Sequence, residues 1–186
     1  FAHALLKSID TSAAKDAPGV IAVFTGKDLQ NSKIGDIPNM TPFPNYDGSP
    51  MALSMRPALA HEKVRHVGEI IAMVIAESIS LATDAIELVD IDYELLDSVV
   101  DLEQAVAEGA PQLWDNMPNN ICLDFRIGKK EDTDIAFSNA HHITKLTLKT
   151  NRIVAASMEP RSANAIWDEE NERYQLFSGS QGVNAM

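Results

Sequence analysis

Apolar and polar positions change period several times along the chain, and each change predicts an element. Residues 5–9 read as a short strand ending at Asp10. A helical turn follows at 11–15, with Asp10, Thr11 or Ser12 able to cap it, and Pro18-Gly19 ends it. Val20-Ile21-Ala22-Val23-Phe24 is a β-branched apolar run, read as a buried strand that a turn closes at 25–29. Residues 63–66 open another strand, which Gly68-Glu69 interrupts. The run from Ile70 to Ala76 is apolar at consecutive positions, the pattern of a strand covered on both faces. Ser78 is placed to cap a helix reaching about Leu88, with Ile79, Ala82, Ile86 and Val89 on one stripe. Residues 89–93 alternate strictly, which predicts a half-buried strand with Asp90 and Asp92 turned to solvent rather than to a metal. Residues 101–106 form a short capped helix that Gly109-Ala110-Pro111 ends.

Two stretches break this rhythm. Residues 31–60 hold five of the nine prolines, at 38, 42, 44, 50 and 57, beside Gly35 and Gly48, and predict a long irregular loop. Such a loop serves a function or an interface as readily as it forms a loose surface excursion. Residues 114–120 are a polar connector, taken as the domain boundary, giving segments 1–118 and 119–186. Beyond it the pattern predicts a strand at 121–127, a helix at 131–140 and alternating stretches at 142–150 and 162–167. An acidic hairpin turn at 168–172 then leads into a returning strand at 174–178. No internal repeat is evident.

Composition narrows the classes. A length of 186 residues, 45% hydrophobic and 23% charged, is enough for a real core and is ordinary for a globular chain. The formal charge of −12 repels a phosphate backbone, which argues against nucleic acid as partner and suits a soluble cytoplasmic protein. A single cysteine, Cys122, closes no internal disulfide and builds neither a structural zinc site nor a four-cysteine iron–sulfur site. Its apolar neighbours predict a small buried hydrophobe rather than a nucleophile. No stretch reaches the roughly 18 apolar residues of a membrane span. The chain opens on Phe1 without a signal-peptide layout and stops at Met186 without a polar tail, and we expect it to be a piece of a longer polypeptide.

Self-contained chemistry is missing from the spacing. There is no phosphate-binding loop, no dinucleotide fingerprint after a strand and no Gly-x-Ser-x-Gly elbow. His141 and His142 are adjacent and on a strand face opposite ways, and His61 and His66 stand five apart, which matches neither a helix nor a strand pairing.

Four segments in order carry a resemblance. They are Phe1-Ala2-His3-Ala4…Ile9-Asp10 with Pro18-Gly19-Val20 and Phe24-Thr25-Gly26-Lys27-Asp28-Leu29; Lys63-Val64-Arg65-His66-Val67-Gly68-Glu69…Val74-Ile75-Ala76-Glu77; Ala85…Val89-Asp90-Ile91-Asp92-Tyr93-Glu94…Val99-Val100-Asp101; and Asn151-Arg152…Met158-Glu159-Pro160-Arg161…Tyr174…Ser180-Gln181. Together they resemble the N-terminal part of the large, molybdenum-cofactor-binding subunit of the xanthine dehydrogenase, aldehyde oxidase and aerobic carbon monoxide dehydrogenase family. The resemblance implies an α+β fold, an α/β-hammerhead domain over 1–118 followed by the beginning of a molybdenum-cofactor-binding α+β domain over 119–186.

In that family the glutamine of the last segment lies beside the metal and hydrogen-bonds an oxo ligand. Gln181 matches it, and a neutral amide suits a donor that adds no charge. Gly182, Val183 and Asn184 would then approach the cofactor. Glu159 and Arg161 would stand behind the site or brace the fold as a pair. The resemblance implies no metal ligand and no catalytic residue in this stretch. The family's Gly-rich segment, substrate-selecting loop and catalytic glutamate would all follow Met186. Ile70 and Ser157 stand where proline is common, and Val183-Asn184 replaces the Pro-His frequent in the carbon monoxide branch.

The activity implied is oxidation of an aldehyde, an N-heterocycle or carbon monoxide with water as oxygen source. Its cofactor would be molybdopterin cytosine dinucleotide carrying Mo, with electrons passing to [2Fe–2S] centres and FAD. Those centres would sit on an iron–sulfur small subunit and an FAD medium subunit of a hetero-oligomer, or on other segments, and this stretch alone would turn over nothing. The contrasting expectation is a non-catalytic assembly module that docks a partner through the hammerhead surface and loop 31–60.

Overall fold

The first strand, β1 (Ala4–Asp10), sits in the middle of a sheet and pairs antiparallel on both edges, with β3 (Lys63–Val64) and with β5 (Asp90–Leu95). The computed structural model describes residues 1–38, 43–54, 56–150, 153 and 156–179. These fall into two compact units, Phe1–Lys129 and Lys130–Met186. In the first, Ala4 stands opposite Val64 on one side and Leu95 on the other and is fully buried. Its methyl group lets Ala60 and Val64 close over it, with Leu6, Ile71 and Tyr93 packed around them. A register shift between Leu6 and Ser8 bends the β1–β5 ladder. On β5, Ile91 and Tyr93 turn inward while Asp90 and Asp92 face solvent, as the alternation predicts. Next to β1, the buried His3 donates from Nδ1 to the Asp97 carbonyl at 2.7 Å, and its Nε2 is buried without a partner among the described residues.

A second sheet pairs β2 (Val20–Thr25) antiparallel with β4 (Ala72–Ala76). Two helices, α1 (Ser12–Lys15) and α3 (Ile79–Ile86), pack against it, burying Val23, Ala14 and Ala85. The α3 start is as expected, with the Ser78 hydroxyl accepting from the Leu81 amide at 3.3 Å. At α1 the local bond comes from Asp10, whose carboxylate accepts from both the amide and the hydroxyl of Ser12. The β4 pattern predicts cover on both faces. Within this unit the helices cover one, and Phe24, Met73 and Ile75 of the other are 36%, 45% and 39% exposed.

Where a turn is expected after β2, the chain forms α2 (Gly26–Asn31). The Thr25 amide and hydroxyl both donate to the Asp28 carboxylate at 2.7 Å, and these two bonds hold that carboxyl below its usual range. Thr-x-x-Asp thus works as a capping box with the shorter acid. Further on, α4 (Leu102–Ala105) is capped by Asp101, whose carboxylate accepts from the amides of Glu103 and Gln104.

The strand expected at 121–127 is not one. This segment lies along 43–53, the Tyr46 amide donating to the Asp124 carbonyl (2.7 Å) and the Ala52 amide to the Cys122 carbonyl (2.9 Å). The Asn45 side chain accepts from the Asp124 amide (2.9 Å), and the Phe43 and Phe125 rings meet at 5.5 Å. Pro44 and Pro50, which bridge each other, have no amide hydrogen to extend a ladder. Cys122 is exposed rather than buried, because its segment has this loop on one side only.

The second unit contains α5 (Lys130–Ser138) and a hairpin of β6 (Ala163–Asp168) and β7 (Arg173–Ser178). The predicted alternation at 142–150 is present but forms no strand, since no described strand offers its backbone a ladder. The hairpin follows the sequence pattern closely, with Trp167 opposite Tyr174 and their rings 4.8 Å apart. Asp168 anchors its turn: the Asn171 and Gln175 side-chain amides donate to its carboxylate at 2.9 and 3.0 Å, and Arg173 adds a longer contact of 3.4 Å. These bonds, Asn171 first, hold the Asp168 carboxyl below the usual range.

Two predictions follow from this packing. A Cβ at Gly26 would strike the Leu59 carbonyl and stand 2.8 Å from the Ala60 carbonyl and the His61 Cβ. Gly26→Ala should therefore destabilise the first unit by about 1–3 kcal/mol in urea melts. Gly35→Ala, which meets nothing within 4 Å, should stay within about 0.5 kcal/mol. The Asp168 bonds favour the carboxylate, so their stabilisation is complete above the unfolded aspartate pKa of about 4 and is lost as pH falls through the lower folded value. Trp167 emission should report hairpin loosening in that acid window. Asp168→Asn should flatten that response, and an unchanged acid transition in the variant would contradict the assignment.

Candidate functional site

Of the residues marked by the last segment, Glu159 lies near the end of β7. The β6–β7 ladder ends with Ala163 opposite Ser178, whose hydroxyl donates to the Ser162 carbonyl at 3.4 Å. The chain then passes through Gly179. Glu159, which precedes β6, returns to this point, and its Oε1 lies 3.5 Å from where a Cβ on Gly179 would stand. The hairpin therefore brings the Glu159 carboxylate beside the main chain two residues ahead of Gln181. Gln181, Gly182, Val183 and Asn184 themselves lie outside the described residues. Glu159 and Arg161 are both exposed, and no ion pair joins them among the described residues.

This arrangement suits a site assembled on a strand end. A two-residue-per-turn ladder fixes the direction of β7, and the glycine after it leaves room for a carboxylate to approach the backbone. Among the described residues no group of three or more His, Cys, Asp or Glu is placed to hold a metal ion. The histidines stay apart from this chemistry. His142 shares a 3.2 Å contact with the Thr144 hydroxyl, and His66 stands 3.6 Å from the Glu69 carboxylate.

The first unit holds a separate cleft of about 660 Å³ between α2, the segment leading into β3, and residues 114–116. Lys33, Lys63 and Arg65 line it together with Asp36, Glu62 and Asp115, so its charges largely balance. Neither Glu159 nor Arg161 lines it. The same stretch of chain makes contacts that the sequence pattern does not mark. The Arg65 guanidinium lies 3.8 Å over the Trp114 ring, and Asn120 ties three backbone groups together. The only sequence signal is a tryptophan and two adjacent asparagines in an otherwise polar connector. Asn119 and Asn120 both adopt left-handed backbone, a conformation asparagine tolerates better than most residues.

Comparison with known proteins places these units. Residues 1–97 match the aldehyde oxidase and xanthine dehydrogenase a/b hammerhead domain, and residues 113–186 match the molybdopterin cofactor-binding domain. The chain is 36% identical to the nicotine 6-hydroxylase large subunit of Paenarthrobacter nicotinovorans, covering 97% of this chain and 21% of the relative. It is 33% identical to the carbon monoxide dehydrogenase large chain of Afipia carboxidovorans, covering 97% and 22%. Its fold superposes on quinoline 2-oxidoreductase from Pseudomonas putida 86 with a TM-score of 0.81 at 30% identity, again over 97% of this chain and 22% of the other. The chain thus spans about a fifth of the length of these relatives. Its two matched regions, in this order and over nearly its whole length, make it a member of the aldehyde oxidase and xanthine dehydrogenase family of molybdenum oxidoreductase large subunits.

Proposed function

We propose that this chain forms the hammerhead (1–118) and the beginning of the cofactor-binding domain (119–186) of a molybdenum hydroxylase large subunit. That enzyme would oxidise an aldehyde, an N-heterocycle or carbon monoxide with water as oxygen source. The observation that carries the reading is the pair of family matches, hammerhead then cofactor-binding domain, on one continuous chain. Relatives that act on nicotine, carbon monoxide and aldehydes support the breadth of the substrate class.

The cofactor in this reading is molybdopterin cytosine dinucleotide, which when bound supplies the redox chemistry. This chain's own part is to hold and orient it. The Gln181 amide donates a hydrogen bond towards an anionic oxygen of the cofactor, with Gly182, Val183 and Asn184 as the adjoining backbone. The Glu159 carboxylate steadies the strand end at Gly179 from behind, with Arg161 following it at the start of the hairpin. The single cysteine cannot hold a [2Fe–2S] centre, so electrons would leave through [2Fe–2S] and FAD groups on small and medium partner subunits or on other segments. Relatives named as a large subunit, a large chain and a subunit gamma support assembly of that kind. Among the described residues no helix is long and apolar enough to cross a membrane, and we place the assembly in the cytoplasm.

The test is a Gln181→Ala variant of the large subunit that contains this chain, expressed with its partners. Removing a donor next to the cofactor should lower activity about 10–100-fold with the subunits still assembled. Wild-type turnover in the variant, or an assembly free of molybdenum and pterin by metal and fluorescence analysis, would reject the reading. The 186-residue chain alone should show no molybdenum-dependent aldehyde oxidation. Turnover by it would overturn the view that the base and substrate-selecting residues are elsewhere.

A further inference from the structure

We propose that Arg65 is a positioning residue that fixes the polypeptide entering the cofactor-binding region. Arg65 lies within the hammerhead match, and Leu113 and Trp114 are the first two residues of the cofactor-binding match. One guanidinium bridges a sequence separation of 48 residues to Leu113 and reaches Trp114 as well. Its Nε donates to the Leu113 carbonyl at 2.9 Å, and its Cζ lies 3.8 Å from the centre of the Trp114 ring. A longer contact from Nη1 to the Lys63 carbonyl (3.4 Å) turns the same group back onto the strand that precedes it. The Arg65 amide donates to the Glu69 carboxylate, whose side chain is only 13% exposed, so the residue is anchored at its backbone as well.

The neighbouring contacts make this a clamp rather than a passing touch. Both backbone groups of Leu113 are held by side chains: its carbonyl by Arg65, and its amide by the Asn120 Oδ1 at 2.9 Å. The same Asn120 amide donates to the Ala105 and Pro111 carbonyls at 2.8 and 3.0 Å. The half-buried guanidinium has no carboxylate at ion-pair distance among the described residues, so backbone carbonyls and an aromatic face hold it instead. Burial holds its pKa below the ordinary arginine value, in keeping with that environment. A lysine offers neither a flat face for the indole nor a fixed Nε–H for the carbonyl. The clamp therefore needs the planar fork as well as the positive charge.

That the clamp matters for cofactor placement rests on the reading given above. The clamp itself does not, and its test reads hydrogen exchange in the large subunit that contains this chain, expressed with its partners, so either can fail alone. Hydrogen exchange would be followed at amides 113–120 and, as an internal control, at the β1–β5 ladder. In Arg65→Lys, exchange at 113–120 should accelerate about tenfold while the β1–β5 amides keep wild-type protection. Wild-type protection at 113–120 in this variant would overturn the proposal, because it would show that charge alone suffices. Should Arg65→Lys unfold the unit as a whole, Trp114→Leu decides the matter. It keeps an apolar side chain, leaves Arg65 in place, and should release the same amides. Unchanged exchange there would equally overturn the clamp.

Discussion

The central strand of the first sheet constrains everything built around it. Because β1 is paired on both edges, residues 4, 64 and 95 must meet at one point although they are scattered over half the chain. Ala4 makes the meeting possible, since a larger side chain there would hold the neighbouring segments apart. All the chain between these strands is then an excursion that must return. The first, through α1, β2 and α2, comes back along residues 59–61, and Gly26 has no side chain where they pass. On the other edge β3 contributes only Lys63 and Val64, opposite Leu5 and Ala4.

Much of the first unit outside the strands and helices is held by side chains bonding to backbone. Asn45 receives the Asp124 amide, Asn120 serves Ala105, Pro111 and Leu113, and Arg65 takes the other end of Leu113. Prolines and connectors cannot form ladders, yet their carbonyls and amides still require partners. Amide and guanidinium groups supply them at reaches that backbone alone does not have. The proline-rich loop is thus stitched to the start of the cofactor-binding match over its described part, where sequence reading left open whether it was loose or interfacial.

The hairpin of the second unit serves a different purpose. Its ladder runs from the Asp168 turn to Ser178 and directs the chain through Gly179 towards the glutamine segment, with Glu159 alongside. The proposed site lies on from this strand end, apart from the cleft of the first unit, whose lining carries three basic and three acidic side chains. The relatives are roughly five times as long as the stretch they share with this chain.

Local order was readable from the residues alone. Period-two alternation located β5 and the β6–β7 hairpin, Ser78 and Asp101 announced their helices, and four spaced segments identified the family. These succeed because caps, turns and alternation act between residues a few positions apart. The reading failed where a partner distant in sequence decided the outcome. Residues 121–127 have a strand's composition but met prolines, 142–150 alternate but have no ladder, and β4 is covered on one face within its unit. Sequence by itself determined the elements and the family. Only tertiary structure decided which segments found hydrogen-bond partners, and that Arg65 would meet Trp114, because backbone pairing and ring stacking depend on what the fold brings within about 4 Å and not on neighbours along the chain.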